Sequence, residues 1–137
     1  MVLNISEFKF QVSQNMEWVG EFKVNLNTCI QDDSDYIFSA VDIQYDEIPN
    51  AELVLEILED EEVVYRKTSP FNRFLVAGRN QGPVYVAIDG SDCTFDASNM
   101  VVKAYVWNLD KSAFGVRSIS LWSEKGNPIK YALEQDF

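Results

Sequence analysis

The residues able to do chemistry are defined first by an omission: the 137-residue chain contains no histidine. That removes His-based triads, His-ligated metals and the usual general base near neutral pH. A serine or cysteine nucleophile would need a lysine or an N-terminal amine as its base. No G-x-S-x-G elbow, Gly-rich phosphate loop or C-x-x-C motif occurs. The chain does hold 22 acidic residues, and a facing pair of carboxylates is the equipment of glycoside hydrolysis. So many acids bring some pair to a suitable separation by chance, so no pair is singled out. The expectation is a protein that is not an enzyme.

Oxygen-rich loops are the next candidates, because calcium takes its ligands from carboxylates and carbonyls. Asp32, Asp33 and Asp35 share one predicted loop, and Asp89, Asp92 and Asp96 another. Neither has the glycine at the sixth position and glutamate at the twelfth that an EF-hand loop requires. Solvated acidic loops are the expectation. No cofactor is expected, with a structural calcium ion as the alternative.

The aromatic residues remain. Tyr105 and Trp107 fall on one side of a strand, beside Lys103. A flat ring on a sheet face can stack on the apolar face of a pyranose, while a neighbouring cation or amide bonds its hydroxyls. Arg117 and Trp122, on the following strand, extend the same candidate ligand-binding site. Trp18 sits near the end of another strand, and Asn108 reads as a turn residue. The competing arrangement buries these rings in the core, with Lys103 snorkelling at its edge.

The elements that must position these side chains follow a period of two. Trp18 to Leu26 alternates large apolar residues with Glu21, Lys23 and Asn25, and Phe8, Phe10 and Val12 form a short strand before it. Tyr36 to Tyr45 is apolar on both faces, which predicts a central strand. Pro83 to Asp89 and Met100 to Asn108 are further strands. The last runs from Phe114 to Glu124, and its inside face changes near Arg117-Ser118, which predicts a bulge. One segment is ambiguous. Ala51, Val54, Leu55 and Leu58 fit a helical stripe behind Pro49-Asn50, whereas Leu53, Leu55 and Ile57 alternate as in a strand. The acidic turn Glu59 to Glu62, followed by Val63 to Lys67, favours a hairpin. Turns rich in Asp, Asn, Gly, Pro and Ser punctuate these runs. The expected fold is one all-β domain over residues 1–137, an antiparallel β-sandwich of the jelly-roll kind.

Hydrophobic residues make up 47% of the chain and aromatics 13%, enough for a packed core without a disulfide or metal framework. The formal net charge of −11 repels phosphate. Neither nucleic acid nor direct binding to an anionic membrane is expected. Cys29 and Cys93 either pair or stand as two buried thiols. No stretch reaches the roughly 20 apolar residues of a membrane span, and the first ten residues do not read as a signal peptide. The expectation is a module of a longer secreted chain at the cell surface, with a cytoplasmic protein as the alternative.

At Lys103-Ala104-Tyr105-Val106-Trp107-Asn108 the sequence resembles a group of jelly-roll domains akin to carbohydrate-binding modules. Tyr36 to Ala40 and Ala51 to Ile57 carry the same likeness upstream. Such domains are often appended to bacterial surface or secreted proteins. Paired aspartates often found after the W-N turn in that group are missing here, where Phe114 to Ser120 stands. The resemblance implies a non-catalytic accessory module that binds carbohydrate or sits beside neighbouring domains that process it. The alternative is a structural spacer or protein-interaction domain without a small-molecule ligand.

Overall fold

Met100–Asn108 shows most plainly how the sequence makes its strands. Met100, Val102, Ala104, Val106 and Asn108 are buried, and the residues between them are half-buried. One face is core and the other is a partly covered outer surface. The computed structural model describes residues 2–6, 10–12, 17–26, 35–90 and 99–125. Phe8, Cys29, Cys93, Asp32, Asp33, Asp92 and Asp96 lie outside them. The strands are β1 (Val2–Ser6), β2 (Phe10–Val12), β3 (Trp18–Asn25), β4 (Asp35–Gln44), β5 (Ala51–Glu59), β6 (Glu62–Pro70), β7 (Gln81–Asp89), β8 (Met100–Asn108) and β9 (Phe114–Lys125). A 3-10 turn at Phe71–Arg73 follows β6.

Two antiparallel sheets pack face to face. One has the order β1-β9-β4-β7, with β2 also pairing β9, and the other has β3-β8-β5-β6. The pairings nest: β5 with β6, β4 with β7, β3 with β8, and β1 and β2 with β9. That is a long hairpin rolled into a sandwich, the jelly roll expected from the strand pattern. The core takes one face of each sheet, with Ile37, Val41, Val86 and Ile119 from the first meeting Leu53, Leu55, Val102 and Val106 from the second. Phe71 in the 3-10 turn packs edge-on against Phe114, ring centroids 5.7 Å apart, and closes one end.

The ambiguous segment is a strand. Ala51, Leu53, Leu55 and Ile57 all face the core, while Val54 and Glu56 are buried on the outer side. Burial on both sides of a central strand is why a helical stripe also fitted it. Its turn places Asp60 and Glu61 at φ 51° and 69°, the left-handed pair of a tight hairpin. The bulge in β9 is also present. Opposite Asp42 and Ile43 of β4 the register steps from Ser118 to Val116. Arg117 is therefore extra, and the buried set passes from Phe114 and Val116 to Ile119 and Leu121.

Candidate functional site

The outer face of the second sheet collects most of the sequence-derived candidates. Because Val102, Ala104 and Val106 point into the core, Lys103, Tyr105 and Trp107 point outward from β8. In register, Trp107 lies between Trp18 of β3 and Glu52 of β5. Lys103 lies between Lys23 of β3 and Glu56 of β5. Trp18 stacks on Trp107 with ring centroids 5.0 Å apart and planes 17° off parallel. It also meets Tyr105 edge-on at 5.8 Å. Trp18 is 53% exposed, the open end of this aromatic row.

Trp18 owes its outward aspect to a bulge. Strict alternation places it on the same side as Phe22 and Val24, which pack against the core. Between Val19 and Phe22, however, the register with β8 gains one residue, and Gly20 sits there at φ 73°. That conformation suits glycine, and the extra residue turns Trp18 over to the outer face. A depression of about 380 Å3 opens between Trp18, Gly20, Glu21, Lys103 and Tyr105.

Beneath the rings lies a charged network centred on Glu56. Its carboxylate is only 5% exposed, although it stands on the outer face. Tyr105 donates its hydroxyl to Oε2 at 3.0 Å. Arg66 Nε lies 3.6 Å from Oε2, and Lys103 Nζ 3.5 Å from Oε1. The same two cations meet the rings, Arg66 at 5.8 Å from the Trp107 centroid and Lys103 at 5.2 Å from that of Tyr105. Burial and the nearby Glu56 carboxylate push the Tyr105 phenol up to about 12, because both disfavour a phenolate. At the rim, Lys23 and Glu21 pair at 2.9 Å. That hydrogen bond holds the Glu21 carboxyl below its ordinary value.

Arg117 and Trp122 are not brought to this site, which corrects the expectation that they extend it. β9 belongs to the first sheet and β8 to the second, so strands adjacent in sequence are not neighbours in space. Trp122 stacks on Phe38 at 5.5 Å in a separate cluster with Tyr36 and Ala87. Arg117 Nε lies 3.9 Å from Asp42 Oδ2 of β4. Asn108, expected in a turn, is the buried last residue of β8 and braces the turn that follows. Its side chain donates to the Ser112 carbonyl at 2.8 Å and accepts the Ser112 N–H at 3.0 Å. Of the acidic loop residues, Asp89 accepts the Tyr36 hydroxyl at 3.0 Å. Among the described residues, no three carboxylates or thiols gather as metal ligands.

Trp18 and Glu56 are the residues that sequence reasoning underused. A glycine inside the first long strand was the available sign of the bulge that exposes Trp18. Glu56 had a weaker sign, a lone acid within the apolar run Leu53 to Leu58. The aromatic row, the depression and the buried carboxylate thus share one outer sheet face. No protein-family model matches the chain, and the search of curated proteins likewise returns no match.

Proposed function

We propose that the protein is a non-catalytic jelly-roll module that binds carbohydrate on the outer face of β3 and β8. The observation that carries this reading is the ordered row Trp107–Trp18 with one indole open to solvent, beside a shallow depression. An indole already stacked on one side loses little freedom when a second flat group covers the other, so a pyranose ring gains most of the stacking energy. Lys103, Lys23 and Glu21 stand where sugar hydroxyls would find donors and acceptors. Lys23, Lys103 and Arg66 face Glu21 and Glu56 in ion pairs, and Glu52 beside Trp107 brings these six side chains to no net charge. This suits a neutral glycan, and the resemblance to accessory domains of surface proteins agrees with a place outside the cell.

The test is tryptophan emission during titration with soluble β-glucan, xylan and galactomannan, repeated on Trp18→Ala. Binding is expected to change the emission for at least one glycan. Trp18→Ala should weaken that binding at least tenfold, about 1.4 kcal/mol. Losing its contacts with Trp107 and Tyr105 should lower stability by about 1–2 kcal/mol, so a native circular dichroism spectrum at the assay temperature is the control that the variant is folded. If no glycan alters the emission or slows migration in an affinity gel, sugar binding through this face is overturned.

A further inference from the structure

Charge is unevenly distributed along the chain. Between Val63 and Ile88 there is no acidic residue, yet four of the eleven basic ones lie there, Arg66, Lys67, Arg73 and Arg79. That segment is β6 after its first residue (Glu62), the 3-10 turn with its connector, and most of β7. β6 ends one sheet and β7 ends the other among the described residues, so the segment runs along one side of the sandwich, with exposed acids only at its borders, Glu61 and Glu62 at the start of β6 and Asp46 beside the connector. Arg66 is committed to Glu56. Lys67, Arg73 and Arg79 are exposed, and no ion pair among the described residues uses them.

Apolar groups are exposed on the same side. Val63, Val64 and Val76 are 50%, 41% and 54% exposed. Val76 is held in that position. Its N–H bonds the Tyr45 hydroxyl at 3.2 Å, and that hydroxyl donates back to its carbonyl at 2.9 Å. Arg79 N–H then closes a turn onto the Val76 carbonyl at 3.2 Å, with Gly78 at φ 87°. A depression of about 420 Å3, lined by Tyr45, Asp46 and Gly78 to Gln81, adjoins this turn.

We propose that this side docks an extended acidic segment of another polypeptide, with carboxylate and aliphatic side chains in alternation, along the open edge of β6. Among the described residues β6 pairs only with β5, so its other edge offers backbone groups to an added strand. Val76 stands between Arg73 and Arg79, and Val63 and Val64 lie at the far end of β6, beyond Arg66 and Lys67. A partner running along the strand needs aliphatic side chains throughout and negative charge toward the end of β6 and the connector. A sulfated glycan or nucleic acid brings only the charge. Lysine and a bulge commonly guard edge strands, and β6 has both, in Lys67 and the register shift opposite Ile57 and Leu58. The guard is selective, since two β6 edges would set cation against cation while an acidic strand is attracted.

The experiment uses the full chain and a fluorescein-labelled decapeptide of alternating Glu and Val, read by anisotropy. Binding is expected, at least tenfold weaker in 0.5 M NaCl and in the combined variant Lys67→Glu, Arg73→Glu and Arg79→Glu. The corresponding triple alanine variant should lose affinity in the same direction, with an unchanged urea midpoint confirming that both variants are folded. Decaglutamate should bind at least fivefold more weakly than the alternating peptide, and Trp18→Ala should bind it normally. No binding of the alternating peptide overturns the proposal. So does a heparin fragment that competes as well as the peptide does, which would mark a general polyanion site. A concentration-dependent dimer that the triple variant dissolves and the peptide does not displace would assign the surface to a second copy instead.

Discussion

Glu56 shows how much one buried carboxylate can organise. It accepts the Tyr105 hydroxyl and holds Arg66 and Lys103, and those two cations lie against Trp107 and Tyr105. The tilt of the aromatic row therefore depends on a side chain beneath it. Glu56→Gln keeps the shape and removes the charge. It is expected to cost about 1–3 kcal/mol in urea denaturation, since a charged hydrogen-bond acceptor is lost. It should also bring the Tyr105 phenol down from about 12, read as phenolate absorbance in an alkaline titration. The phenol is raised in the folded state, so the stability it contributes is complete below its ordinary value of about 10 and fades as pH rises toward about 12. The variant should flatten that decline. An unchanged tyrosine titration would show that Glu56 does not govern the ring. Sequence reasoning found Lys103, Tyr105 and Trp107 as a set because three alternate positions of one strand necessarily share a face. It could not find Glu56 as their anchor, because cross-strand partners depend on register.

At the level of elements, the hairpin and the bulges in β3 and β9 determine what faces where. Asp60 and Glu61 both occupy left-handed backbone, which costs a side-chain-bearing residue roughly 1–2 kcal/mol. Asn99 anchors Asp60 by donating to its carboxylate, whereas Glu61 has no such reason to remain. Glu61→Gly should raise stability by about 1 kcal/mol, seen as a higher urea midpoint at unchanged slope. A lower midpoint would contradict this reading of the turn. In β9 the extra residue is Arg117. Deleting it would turn either Phe114 and Val116 or Ile119 and Leu121 to the outside. The expected result is loss of soluble folded protein, whereas Arg117→Ala should fold with a cost within about 0.5 kcal/mol. A deletion variant with a native circular dichroism spectrum would refute the bulge. This bulge was legible in sequence because apolar residues on both sides of Arg117-Ser118 changed parity. The bulge in β3 left a fainter mark, since the alternation of Trp18 with Phe22 and Val24 is unbroken and Gly20 is its one sign in the sequence.

For the whole molecule, the nested pairing joins β1 and β2 to β9, so strands from opposite ends of the sequence lie side by side. Folding that must close such long loops is slow, with milliseconds to seconds as the expected scale in stopped-flow refolding. The net charge of −11 acts over the same dimensions. Self-repulsion of the acidic surface opposes compaction. The urea midpoint should therefore rise as NaCl increases from a few millimolar to 0.15 M, where the Debye length is about 8 Å. A midpoint independent of salt would mean that the acids outside Val63 to Ile88 are already matched by local partners.

By itself the sequence determined the fold class, the main strands and the bulge at Arg117, and it favoured the hairpin at residues 51 to 67. Each is a local property, set by the alternation of side chains along an extended backbone or by the residue types at a turn. Only the tertiary structure decided which side of each strand became core and which strands became neighbours. In β8, both Val102-Ala104-Val106 and Lys103-Tyr105-Trp107 are coherent faces, and the choice between them belongs to the opposing sheet. Successive strands β8 and β9 then cross to different sheets, which separates Arg117 and Trp122 from the aromatic row and puts Trp18 in their place. The missing histidine excluded the commonest catalytic devices. The packing of two sheets left an indole pair, a buried glutamate and an edge with three exposed cations as the surfaces on which function can be tested.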